Sequence, residues 1–135
     1  MMAGWSPDPR VFRRRAALAA LATFVLTLVL LLPFRATFAA FPPLIALLPL
    51  AVAAIFVIED YGRWRGMRGD RWSIEDDHLV HDGAEGRALV HLGEIATVTP
   101  RPMGTLLVRL HSGQRIAIRH LSDPRGVARA IAAAR

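Results

Sequence analysis

At 135 residues the chain can hold one small folding unit, or a membrane anchor with a small domain attached. It contains no cysteine, which excludes structural disulfides, thiolate zinc sites, iron–sulfur clusters and cysteine nucleophiles. The formal charge of +6 does not point to nucleic acid, because the surplus arginines flank two apolar runs instead of forming one stripe.

Residues 1–15 read as a basic cytoplasmic N-terminus carrying Arg10, Arg13, Arg14 and Arg15. From Ala16 to Ile58 the only charge is Arg35. The first run, "AALAALATFVLTLVLLLPF" over 16–34, predicts a transmembrane helix. A helix over Ala16–Leu32 would reach about 25 Å, and Thr23 and Thr27 can return their hydroxyls to carbonyls of the preceding turn. Residues 35–40 read as an external loop, and residues 41–60 as the second span. Pro42 and Pro43 suit a first helical turn, and Pro49 is expected to bend the helix. Tyr61 and Trp64 fall where an aromatic belt would lie. Four arginines precede the first span and Arg63, Arg65, Arg68 and Arg71 follow the second, so the positive-inside rule puts both termini in the cytoplasm and Arg35 outside. In a soluble core Arg35 would have no local counter-ion, since no acid occurs between Asp8 and Glu59. The "RRR" and "TFAA" segments resemble parts of a signal peptide, but the length of the run and the second span behind it argue for an uncleaved anchor. Only threonines and prolines interrupt the spans, which reads as an anchor, not a transport path.

Residues 61–69 read as a juxtamembrane linker in which Gly62, Gly66 and Gly69 end any continuous helix. Arg63, Trp64, Arg65 and Arg68 are its candidate lipid contacts. Period-two strands follow: "RWSIE", a "DD" turn, "HLVHD", a "GAEG" turn and "RALVHL". "EIATVT" comes next, with Gly93 expected at a bulge or bend and Pro100 and Pro102 as the stop. In "TLLVRLHSGQRIAIRHL" the expected pairs are Leu110–Ile116 and Val108–Ile118 around a Ser112–Gln114 loop. A two-residue loop is rejected because it would set inward residues against outward ones. The chain closes with a helix capped by Asp123 and begun by Pro124. Val127, Ile131 and Ala134 share one face and cover the sheet. A domain of about 65 residues has a marginal core that self-association or membrane contact would support.

The segments "RWSIEDDHLV", "LGEIATV", "GTLLVRLHSGQRIAI" and "DPRGVARAI" resemble the bacterial pleckstrin-homology-like family over residues 70–135, relatives of which often carry a preceding membrane hairpin. The resemblance implies an α+β membrane protein, with a two-helix transmembrane hairpin followed by a small antiparallel PH-like sheet or partly open barrel capped by a C-terminal helix. It implies a multi-pass protein of the bacterial inner (cytoplasmic) membrane and a surface for lipid headgroups or protein. No defined ligand site carries over, and a fold alone does not settle function.

For enzyme chemistry the residues offer little. His78 and His81 are three apart, so they face opposite sides of a strand; His111 is expected outward and His120 inward. The histidines otherwise read as solvated or rim residues, and Ser73, Ser112 and Ser122 lie in no nucleophile motif. No catalytic residue, metal ligand or cofactor is assigned. Arg109, Arg115 and Arg119 share the outward face of the expected hairpin. They make either a patch for anionic headgroups or an acidic partner, or an ordinary solvated face. The expected function is therefore a non-enzymatic membrane-anchored binding or scaffold module at the cytoplasmic face. It would contact a membrane-protein partner, its own copies or anionic lipid headgroups, and no nucleic acid. The alternatives are an assembly subunit of a larger membrane complex that uses its spans for contact, and a metal-dependent enzyme.

Overall fold

The computed structural model describes residues 4–40 and 42–135. Residues 1–3 of the expected basic N-terminus and Phe41, the expected first residue of the second span, lie outside them. Helix α1 runs over Pro9–Leu31, starting earlier than the expected Ala16. Its start is an Asp-Pro device: the Asp8 carboxylate accepts from the Arg10 N–H at 2.8 Å, and Pro9 fills the first turn. The arginine cluster therefore forms the first turns of the helix. The Thr27 hydroxyl donates to the Thr23 carbonyl at 2.7 Å, as its position predicts. A 3-10 turn over Leu32–Phe34 follows, and Arg35 is exposed in the turns between the helices.

Helix α2, Pro43–Met67, runs through Pro49 and also through Gly62 and Gly66, so those glycines do not end the helix, and the expected linker is helical as far as Met67. A helical glycine costs about 1 kcal/mol relative to alanine, too little to stop a helix already propagating. The Arg63–Glu59 pair at 2.5 Å and spacing i, i+4 supports the same stretch. Both helices are long and apolar enough to cross a membrane. Leu21, Leu26, Leu30 and Ile58 are all more than 60% exposed. On α1 the part-buried residues Ala16, Ala20, Thr23, Phe24, Thr27, Leu28 and Leu31 form one stripe that mixes small and bulky side chains; on α2, Pro49 and Ala53 are buried one turn apart. The small residues suit close helix packing in an apolar medium.

The chain forms two bodies: the hairpin Arg13–Trp64, and a second that joins the N-terminal residues up to Phe12 with Arg65–Arg135. In the second body, β1 (Gly4–Trp5), β2 (Arg71–Glu75), β3 (His78–Gly83) and β4 (Gly86–His91) make one antiparallel sheet in the order β1-β2-β3-β4. Gly4 pairs with Ser73 and Trp5 with Trp72, so residues on the far side of the hairpin in sequence supply an edge strand. Asp76 and Asp77 turn β2 into β3 with φ of 44° and 61°. Two consecutive positive φ values define the tight hairpin turn that matches strand twist, and short polar side chains tolerate them best.

The second sheet is β5 (Ile95–Arg101), β6 (Thr105–Leu110) and β7 (Arg115–Ile118), in that order; the two sheets do not close into a barrel. Gly93 sits in a 3-10 turn over Leu92–Glu94, and the ladder irregularity falls instead between Ile95 and Thr97. Pro100 does not stop β5, which continues to Arg101 with Pro100 opposite Leu106. An edge strand tolerates a proline because one row of its backbone groups has no ladder partner. The β6–β7 register also differs from expectation. Val108 faces Ile116 and Leu106 faces Ile118, a slip of two residues that preserves the inward face. The loop is His111-Ser112-Gly113: the Gly113 N–H donates to the Leu110 carbonyl at 3.0 Å, and the Leu110 N–H to the Gln114 carbonyl at 2.9 Å. This three-residue turn needs a left-handed residue at its end, and Gly113 has φ 91°.

Helix α3, Pro124–Ala134, is capped by Asp123, whose carboxylate accepts from the Gly126 N–H at 2.9 Å. It lays Val127 and Ile131 on a core that includes Leu79, Leu92, Ile95, Leu106, Val108, Leu110, Ile118 and Leu121. The N-terminal strap is fastened to the same body. The Asp8 N–H donates to the His120 carbonyl at 2.6 Å, and the Phe12 ring meets His120 edge-on at 5.7 Å. The Leu121 N–H donates to the Gly104 carbonyl at 2.8 Å.

Candidate functional site: the outward face of the second sheet

Alternation sorts the three strands of the second sheet into two faces. Leu106, Val108, Leu110 and Ile118 point to the core and are buried. The other face carries the rows Thr97–Arg109–Arg115 and Thr99–Leu107–Ala117, then Arg101 opposite Thr105. Arg119 is the first residue past β7 and continues the alternation. Arg101, Arg109, Arg115 and Arg119 are all exposed. The face holds no acid, and its centre is small or apolar.

Arg109 and Arg115 are direct cross-strand partners. Because Leu110 bonds to Gln114, the next facing pair is a non-hydrogen-bonded one, where side chains lie closest. Like charges directly opposite destabilise a sheet, and no carboxylate neutralises this pair. Among the described residues the ion pairs are Arg63 with Glu59 and Asp60, His81 with Asp70, and Arg87 with Glu75 and Asp82. None involves an arginine of the second sheet or of α3. Every basic side chain except histidine is arginine, whose planar fork grips carboxylate or phosphate with two parallel bonds. The arrangement is thus fitted to hold an anionic group across two strands. Comparison of the chain with family models, curated proteins and solved structures returns no match.

Arg109, Arg115 and Arg119, read from the sequence, do share this side of the sheet. Arg101 completes the frame; a strand end at Pro100, as the sequence suggests, hides it. The juxtamembrane set divides. Arg63 is engaged by Glu59 at 2.5 Å, and Trp64 is only 8% exposed and so withdrawn from its surroundings, whereas Arg65 and Arg68 are exposed.

The histidines fall on both sides of the first sheet, as their spacing predicts. His78 faces His91 across β3 and β4 with ring centroids 5.0 Å apart. His81 stacks on Trp72 at 4.4 Å and meets Asp70 at 3.0 Å. His120 is inward, as expected, and only 7% exposed, so the reading of the histidines as solvated or rim residues fails for it: past the end of β7 the backbone turns with φ 60° and its ring packs against Phe12. Among the described residues no three histidine or acidic side chains converge as metal ligands. The Ser73 hydroxyl donates to Glu75 at 3.0 Å. A cleft of about 400 Å³ beside the N-terminal strap contains Ser6, Ser122, Asp8 and Asp123 but no histidine to act as their base.

Proposed function

We propose that this protein is a membrane-anchored, non-enzymatic binding module, a PH-like domain held at the cytoplasmic face of a bacterial inner membrane, whose second sheet binds an anionic group. The observation that carries the reading is the Arg109–Arg115 cross-strand pair, exposed and without a carboxylate partner, on a face framed by Arg101 and Arg119. A pair of sheets closed by one amphipathic C-terminal helix supports the PH-like part of the reading.

Chain path supports the anchor. The chain leaves the sheet body at Phe12 and re-enters it at Arg65. A segment that starts and ends in one folded body crosses a bilayer an even number of times, and two helices are long and apolar enough to do so. Both termini then lie on one side, as the arginine distribution also requires. Reporters fused singly before Met1 and after Arg135 are expected to be active on the cytoplasmic side, and a tag inserted after Arg35 on the outside. Termini on opposite sides would end the two-span reading.

Binding is tested with the full chain reconstituted in nanodiscs of neutral lipid. Vesicles rich in phosphatidylglycerol present an anionic group, and all-phosphatidylcholine vesicles do not. Each arginine near an anionic surface contributes about 1 kcal/mol, so Arg109→Glu/Arg115→Glu/Arg119→Glu should weaken any anionic capture roughly a hundredfold. Capture that ignores the triple substitution would remove this face from the function.

A further inference from the structure

Over residues 70–135 acids and arginines nearly balance in number, but they stand in two blocks along the chain, and the fold puts the blocks on different sheets. Residues 70–94, which hold β2–β4 and the 3-10 turn, carry seven acids and two arginines; residues 95–135, which hold the second sheet and α3, carry seven arginines and one acid. With histidine neutral the formal balance is −5 against +6. No ion pair among the described residues joins the two groups. Asp76, Asp77, Glu85 and Glu94 are exposed and take part in none.

Three of these acids cluster. Asp76 and Asp77 form the β2–β3 turn, and the Leu92 N–H donates to the Asp77 carbonyl at 2.8 Å, which brings the turn holding Glu94 to the same end of the first sheet. The turn's positive φ values place both aspartates at the tip of the β2–β3 hairpin. The molecule therefore carries a flat basic face with unneutralised arginines and a projecting acidic end, which meets the second sheet where the His111 N–H donates to the Glu94 carbonyl at 2.8 Å.

We infer that the anionic group taken by the basic face is the acidic end, Asp76, Asp77 and Glu94, of a second copy of this chain. This rests on the binding role proposed for that face and names its partner. Arginine forks on carboxylates supply the specificity, and Thr97, Thr99, Leu107 and Ala117 give a seat without bulk between them. A lipid headgroup would use the arginines but leave the acidic end without a role. The face is small: three short strands cover about 15 by 20 Å, well below the roughly 800 Å² per partner of a stable soluble complex. Such a contact is weak between free copies and effective between copies confined to one membrane plane, where tethering raises their effective concentration.

The experiment uses the full chain in vesicles of phosphatidylcholine alone, with association read by energy transfer between labelled copies. Two variants are made: Arg109→Glu/Arg115→Glu/Arg119→Glu, and Asp76→Asn/Asp77→Asn/Glu94→Gln, in which asparagine keeps the left-handed turn accessible. The wild-type chain should associate, and raising the salt from low to high should weaken association about tenfold. Each variant alone should not associate. Mixed together they should, because one retains the basic face and the other the acidic end. Matching thermal transitions for the three proteins exclude unfolding as the cause. Variants that associate alone, or a mixture that stays apart, would overturn the inference. Wild-type association seen only after phosphatidylglycerol is added would overturn it in favour of lipid while leaving the basic face as the binding site. Loss of dependence on the arginines in every assay would sink the parent reading as well.

Discussion

Ile131→Ala is expected to unfold the sheet body at physiological temperature. Ile131 is fully buried on α3 and belongs to the core beneath both sheets. Truncation of a buried isoleucine costs about 2–5 kcal/mol, part of it the cavity left behind. A core of this size rarely supplies more than about 3–5 kcal/mol, so one substitution removes most of the margin. Limited proteolysis of the full chain in detergent should show cleavage across residues 70–135 at temperatures where the wild-type chain resists. Ala132→Ser, on the exposed side of the same helix, should change nothing measurable. Equal protection of Ile131→Ala and wild type would mean that α3 does not close this core.

Gly104→Ala is expected to come second in effect and to act through the backbone. Gly104 has φ 74°, and a Cβ there would lie 2.6 Å from the Leu121 carbonyl oxygen and 2.7 Å from Val11. The first neighbour is main chain and cannot rotate away, so the turn must shift and strain the hydrogen bond from Leu121 to Gly104. Positive φ for a non-glycine residue adds about 1–3 kcal/mol, and overpacking about as much again. Gly113→Ala makes the comparison clean. It has φ 91° but nothing within 4 Å of a new Cβ, so it should cost only the backbone term. Hydrogen exchange by peptide mass should show faster uptake across residues 4–12 and 118–123 in Gly104→Ala, and near-normal uptake there in Gly113→Ala. Identical exchange in the two variants would mean that the strap does not depend on this close approach.

The strap makes the N-terminal residues up to Phe12 part of the sheet body. The junction of Val11, Gly104 and Leu121 thus ties the entry to the hairpin to the same folded unit that carries Arg109 and Arg115.

Local pattern made much of this legible. Twenty-residue apolar runs can only be long buried or lipid-facing helices, and period-two alternation fixes which side of a strand is buried, so the two helices, the strands and the closing α3 follow from the residues themselves. The Asp123-Pro124 cap was readable for the same reason. The identical dipeptide Asp8-Pro9 is not readable in the same way, because the charged residues behind it carry no apolar period and mask the helix they begin. Alternation also fixed the orientation of Arg109 and Arg115 but not their alignment. Registers two residues apart present the same faces, and only the closure of the turn at Gly113 chooses between them.

What the sequence alone determined was therefore the presence of the two apolar helices, the buried face of each strand and the cap of α3. What only the tertiary structure decided was which distant segments meet. Two residues, Gly4 and Trp5, are too few to show any period, yet they become a strand because β2 offers an open edge beside them. Likewise the acids of residues 70–94 and the arginines of residues 95–135 already stand in two blocks along the chain, and it is the break in the ladder between β4 and β5 that puts those blocks on different sheets. Pairing between segments depends on loop closure and burial summed over the whole body, and no window of sequence contains that sum.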